Sequence, residues 1–246
     1  AFEDLWPSSG DYDCNDLVID FNYQIVTNAQ NKVVDVIAKY RPKAAGASFN
    51  NGFGVSFNTS PNNVQSVTGC IKVGSVANIA PQGYEAGHTN QTVIIPIDAV
   101  NTLLGHSVIN PTHTGYTVQT ETHTMVMHFS NPQSNIGTPP YNAFIFVNQD
   151  RGKEIHMKDQ PPTELANPVY FGTGDDASDL AAGHFYRSSK GLPWGLEVPV
   201  DFQYPQEKED IVQTYLHFSE WAQSSGSLYP DWYVIKPGYQ NTNKVY

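Results

Sequence analysis

The 246-residue sequence predicts a mainly β protein: an antiparallel β-sandwich, jelly-roll-like, with long ordered loops and one C-terminal α-helix. Three observations carry that expectation. Aromatic residues make up 12% and charged residues only 15%, a balance that suits strands and turns. Short apolar or alternating segments are separated by turn signals, and helical periodicity is almost absent before residue 200.

The elements follow in order. "LVIDFNYQIV" sets Ile19, Phe21, Tyr23 and Ile25 on one face and Asp20, Asn22 and Gln24 on the other. After the turn "NAQNK", "VVDVIAKY" aligns Val34, Val36, Ala38 and Tyr40, so residues 17–40 form an antiparallel hairpin. Further strands are expected in "FGVSF", "VQSVTGCIKV", "TVIIPI", "YTVQTETHTMVMHF" and "YNAFIFVN". "KDQPPTELANPVYFGTGDDASDLAAG" is rich in Pro, Gly and Asp and reads as ordered loop. In "YPQEKEDIVQTYLHFSEWAQSSG", Ile211, Tyr215, Phe218 and Ala222 recur at helical spacing, with Glu207, Glu209 and Asp210 early and Gly226 after the end. No internal repeat or long linker interrupts the chain, so residues 1–246 are taken as one domain, elaborated at the C-terminal side from about residue 150.

Charge and composition exclude several roles. The formal net charge is −11 and no Lys/Arg run could follow a phosphate backbone, which argues against nucleic acid and against an anionic membrane surface. No apolar run approaches the roughly 20 residues that span a bilayer. The chain opens on an acidic motif rather than a signal peptide, as expected of a mature or trimmed form. Cys14 and Cys70 allow one disulfide or two buried thiols, but not a tetrahedral Cys-ligated zinc site.

The chemistry concentrates in "FEDLWPSSGDYDCND". Glu3, Asp4, Asp11, Asp13, Asn15 and Asp16 crowd oxygen donors around a turn that holds no lysine or arginine. Hard cations such as calcium take six to eight oxygens, so calcium is the natural ion. The alternative is a solvated acidic turn whose side chains cap backbone amides. Mutual repulsion of so many carboxylates favours a cation among them. An EF-hand is excluded: Asp16 stands where its loop needs glycine and Asn22 where it needs a bidentate glutamate. A second acidic loop, "GTGDDASD", carries Asp175, Asp176 and Asp179, and is a surface turn, a second site, or the missing part of the first.

Other constellations are weaker. His113, His123 and His128 cluster, but His123 and His128 fall on opposite strand faces and cannot share a zinc ion. The nucleophile elbow, the phosphate-cradling loop, the dinucleotide fingerprint and the Cys-x-x-Cys pair are all missing from the sequence. Trp194 and Trp232 lie in turn-rich stretches and are candidate stacking platforms for sugar rings, whereas Trp221 falls near the apolar side of the expected helix.

Three stretches together resemble the LruC-domain family of exported or lipid-anchored bacterial proteins. They are the FEDxWP…DxDxND opening, "ASFNNGFGVSF", and the segment from "PPTELANP" to "YPDWY". The resemblance implies an extracellular or cell-surface β-rich domain without established enzymatic activity. It places the motif on Phe2, Glu3, Asp4, Asp11, Asp13, Asn15 and Asp16, and departs from the pattern at Cys14. The expected function is therefore a non-enzymatic, calcium-binding surface module serving adhesion or recognition of a protein or glycan ligand. The alternatives are a structural unit of a larger surface protein and a glycan hydrolase using paired carboxylates.

Overall fold

The computed structural model describes residues 1–106, 108–112 and 117–246. His113 lies outside them. Among the described residues, two four-stranded antiparallel sheets face each other. The first has the order β1 (Val18–Thr27), β2 (Val33–Ala44), β6 (His123–Gln133), β4 (Val64–Thr68). The second has the order β5 (Thr92–Ile97), β3 (Gly52–Phe57), β7 (Asn142–Phe146), β8 (Glu154–His156). A short helix α1 (Val100–Leu104) follows β5.

The expected hairpin forms, with Tyr23 opposite Ala38 and Gln24 opposite Ile37. Two-residue alternation drives its inner face into the core: Val36, Ala38 and Tyr40 from β2 and Met125, Met127 and Phe129 from β6 are buried. They meet Phe53, Val55, Phe57, Ile94 and Ile145 of the second sheet. β1 is an edge strand, so its inner residues are only half covered and Phe21 stays 39% exposed. His123 shares the inner parity of Met125, while His128 faces outward and meets Asp35.

The second sheet is covered on both faces, as its continuous apolar strands require. Behind it Val93, Ile95, Phe144 and Phe146 form a smaller cluster. Gly54 sits under the Phe144 ring, where a Cβ would stand 2.3 Å from the ring tip. β8 closes this sheet; its three residues are too few to show a period in the sequence.

The C-terminal third builds a further core from Leu192, Leu196, Phe202, Tyr204, Ile211, Tyr215, Phe218 and Trp232, together with Tyr12 and Cys14 of the opening loop. The single helix expected here is two short ones, α2 (Ile211–Thr214) and α3 (Phe218–Gln223). All four periodic residues are buried as their spacing requires, but Tyr215 is extended (φ −112°, ψ 102°) and bridges Gln240. Backbone bonds from Leu216 to Tyr239 and from Asn241 to Thr214 take the groups that a continuous helix would use.

Cys14 and Cys70 are free thiols, Cys14 in this second core and Cys70 beside the first. Trp194 and Trp232, expected as sugar platforms, are 0% and 1% exposed. Trp194 packs in the sandwich core and its indole N–H donates to the Ser8 carbonyl, while Trp232 is enclosed by Phe202, Tyr215 and Phe218. Neither presents a ring face to solvent.

Candidate metal centre

Main-chain bonds seat the N-terminus at the junction of the two cores. Phe2 bridges Leu17 on one side and Gly195 on the other, and the Glu3 amide donates to the Trp194 carbonyl at 2.9 Å. The following loop returns over it through left-handed residues at every second position, Gly10 (φ 63°), Tyr12 (φ 59°) and Cys14 (φ 54°). Gly10 is required twice over, because it has positive φ and a Cβ there would stand 2.2 Å from Glu3 Oε1. The C-terminal segment locks the loop from outside. Tyr12 Oη donates to the Pro193 carbonyl, the Ile211 amide donates to the Tyr12 carbonyl, and the Lys208 amide donates to Asp13 Oδ2 at 2.8 Å.

This geometry sorts the predicted ligands. Glu3, Asp11 and Asp13 come together, each with a carboxylate oxygen within 4.8 Å of the others. Glu3 and Asp13 are buried and Asp11 is exposed, so the group opens to solvent through Asp11. Asp4 and Asp16 turn instead toward each other and the sandwich: the Asp4 amide donates to Asp16 Oδ2 at 2.7 Å, and Asn51 Nδ2 donates to Asp4 Oδ2 at 2.6 Å. Asn15 ties the loop to the C-terminal segment, donating from Nδ2 to the Pro205 carbonyl. The second acidic loop does not complete the group. Asp175 and Asp179 are exposed and accept from the Ser9 and the Ala181 and Ala182 amides, and the buried Asp176 accepts from Gly172 and Ser178.

The electrostatics of the group are one-sided. Among the described residues no Lys, Arg or His forms an ion pair with Glu3, Asp4, Asp11, Asp13 or Asp16. Glu3 is 0% exposed, and neither of its oxygens has a hydrogen-bond partner. Burial first, then repulsion from Asp13, Asp11 and Asp4, pushes its carboxyl up to about 9; the Cys14 amide, outside hydrogen-bonding geometry, offsets little of this. Burial and Asp11 push Asp13 up to about 7 against the pull of the Lys208 and Asn15 amides. The Asp4 and Asp16 carboxyls are both raised, chiefly by burial. Burial also holds the Cys14 thiol protonated, so it is not a thiolate ligand.

The same molecule shows how it balances buried carboxylates elsewhere. Glu85 and Glu154 are as deeply buried, but Arg151 bridges them, donating from Nε and Nη2 to Glu85 at 2.6 Å and from Nη1 to Glu154. Burial pushes both up, yet hydrogen bonds from Arg151 and His88 to Glu85, and the His156 and Arg151 contacts of Glu154, outweigh it, and Glu154 falls to about 2. The opening loop lacks that counter-charge. A proton or a cation is what relieves such a cluster. Three carboxylates with neither His nor thiolate among them are a hard, oxygen-only set, suited to calcium or magnesium rather than zinc.

Gly10, Asn51 and the Lys208 amide escaped the sequence reading. "GDYD" signals a turn but not the contact to Glu3, and the partnership of Asp4 with Asn51 spans 47 positions.

Fold and site together define a two-sheet β-sandwich with a buried, acid-lined N-terminal loop. The chain belongs to the family described as a domain of unknown function, DUF4842, whose model matches residues 31–233. A solved chain from Bacteroides ovatus, described as a "putative lipoprotein", is similar in fold. It has a TM-score of 0.70 and 18% identity, over 100% of this chain and 74% of that one. No curated protein matches the sequence. Among the described residues, no helix is long and apolar enough to cross a membrane.

Proposed function

We propose that this domain is an exported bacterial surface module that binds calcium through Glu3, Asp11 and Asp13 and serves recognition of a ligand rather than catalysis. The observation that carries the metal reading is Glu3, a fully buried carboxylate with both oxygens unpartnered, facing two further carboxylates and no cation. Backbone carbonyls and water would supply the rest of a coordination shell of six to eight oxygens. The surface location rests on the description of the Bacteroides ovatus neighbour and on the likeness of the FEDxWP…DxDxND opening to the LruC-domain proteins. Calcium at this place would join the N-terminal loop to the C-terminal segment that packs on it, and so hold the two cores together.

Isothermal titration of calcium into chelator-stripped protein tests this reading. One site per chain is expected, with release of protons, since Glu3 and Asp13 must ionise to bind. Glu3→Gln should abolish the binding heat and Asp175→Asn should leave it intact. Equal calcium binding by wild type and Glu3→Gln would overturn it.

A further inference from the structure

A cleft of about 740 Å³ opens on the seam between the second sheet and the C-terminal elaboration, away from the acidic loop. Its walls come from β3 and β7, from the turn before Tyr141, from the segment 157–161, and from α3 and the residues that follow it. The volume lies within the range of small-molecule sites, and such sites favour junctions between packed units.

Three features of the lining define what it would hold. The first is Trp221. Trp6, Trp194 and Trp232 are buried, but Trp221 is half-buried, lines the cleft, and its indole N–H has no partner among the described residues. With Tyr141, Pro139 and Pro161 it offers flat apolar surfaces. The second is a set of uncommitted polar groups. The Asn58 and Gln160 side chains make no hydrogen bond within the described residues, and Gln91 uses only its carbonyl oxygen, on Ser56 Oγ at 2.7 Å. The third is charge. Lys158 is spent on the Gly191 and Ala222 carbonyls and Asp159 on Arg187, which leaves Glu197, attracted by the Ala1 ammonium but without an ion pair or side-chain hydrogen bond among the described residues, as the carboxylate facing the cleft.

Flat apolar faces beside free amides fit a ligand with apolar ring faces and hydroxyls around its edge, and that carboxylate disfavours an anion. A second groove of about 480 Å³ shares Pro140, Met157 and Glu197 with the cleft and continues along the edge strand β1 past Phe21 and Tyr23. The trough is thus longer than one ring. We infer that the cleft is a binding site for a neutral oligosaccharide, with Trp221 as its stacking platform and Asn58, Gln91 and Gln160 reading hydroxyls. The inference shares the ligand-recognition part of the function proposed above and is independent of the metal.

The test uses tryptophan fluorescence quenched by acrylamide, which reaches Trp221 but not the three buried indoles. A panel of neutral β- and α-linked gluco-, manno-, xylo- and galacto-oligosaccharides is titrated in the presence of EDTA, so that loss of calcium cannot mask the result. At least one should shield Trp221, and its affinity, measured for wild type and Trp221→Ala by isothermal titration because the variant has lost the fluorescent reporter, should fall by about tenfold or more in the variant. Because Trp221 also touches Phe218 and Trp232, the double variant Asn58→Ala/Gln160→Ala, which removes only free amides, should weaken binding without moving the melting midpoint. Shielding by none of the panel, binding unchanged in both variants, or a preference for acidic sugars or peptides would overturn the inference.

Discussion

Glu3 decides the behaviour of the opening loop. In metal-free protein its carboxyl is raised to about 9 against an ordinary 4.5. A raised folded-state value means that its stabilising contribution is complete below pH 4.5 and is lost as pH climbs through about 9, and Asp13 behaves alike between 3.8 and about 7. In EDTA, Glu3→Gln should therefore gain on the order of 3 kcal/mol over wild type at pH 7, with the difference shrinking as pH falls toward 4.5. Urea denaturation of both proteins across that range measures it. With calcium the slope should reverse, because protons then compete with the ion. These roles were partly legible: a carboxylate crowd without cations is visible in "FEDLWPSSGDYDCND", but which three converge depends on the left-handed turns at residues 10, 12 and 14 and on the bridge of Phe2 to Leu17 and Gly195.

The elements were legible where alternation and length suffice. β5 coincides with "TVIIPI", a continuous apolar run buried on both faces, and the β1–β2 hairpin coincides with its turn because one buried face imposes a period of two. The C-terminal helix shows what periodicity cannot convey. The buried set Ile211, Tyr215, Phe218 and Ala222 is right, but pairing of residues 214–216 with 239–241 splits the helix, and that pairing is non-local. The tryptophans show the same limit from the other side: turn-rich context put Trp194 and Trp232 outside and packing buries both, whereas Trp221, placed near the apolar side of the helix, does pack against the second core but stays half-buried. Trp232 packs against Phe202, Tyr215, Phe218 and Trp221. Trp232→Ala should cost about 3–5 kcal/mol in denaturant unfolding, whereas a surface platform would lose almost nothing.

At the scale of the whole molecule, two cores meet at the N-terminus, and charge is handled in opposite ways in the opening loop and behind the second sheet. Behind that sheet, Arg151 lies over the Phe144 and Phe146 rings and neutralises Glu85 and Glu154. Arg151→Ala would leave both carboxylates buried without a cation and should cost about 3–5 kcal/mol, read from the urea midpoint at pH 7. The resulting protein should regain part of that stability on mild acidification, as the two glutamates take up protons. Among the described residues, no arginine pairs with the carboxylates of the opening loop. None of this network was visible in the sequence, since Glu85, Arg151 and Glu154 fit no spaced motif and meet only through the sheet.

The central claim is that a cation supplies at Glu3, Asp11 and Asp13 what Arg151 supplies at Glu85 and Glu154. The measurement that tests it most directly is the thermal midpoint of chelator-stripped protein at pH 7, with calcium in large excess and with EDTA. Binding to the folded state alone at about a hundred times the dissociation constant adds about 2.7 kcal/mol, which for a chain of this size raises the midpoint by roughly 5–10 °C. Such a rise in wild type, and none in Glu3→Gln, is the predicted result. An identical midpoint in calcium and EDTA would contradict it.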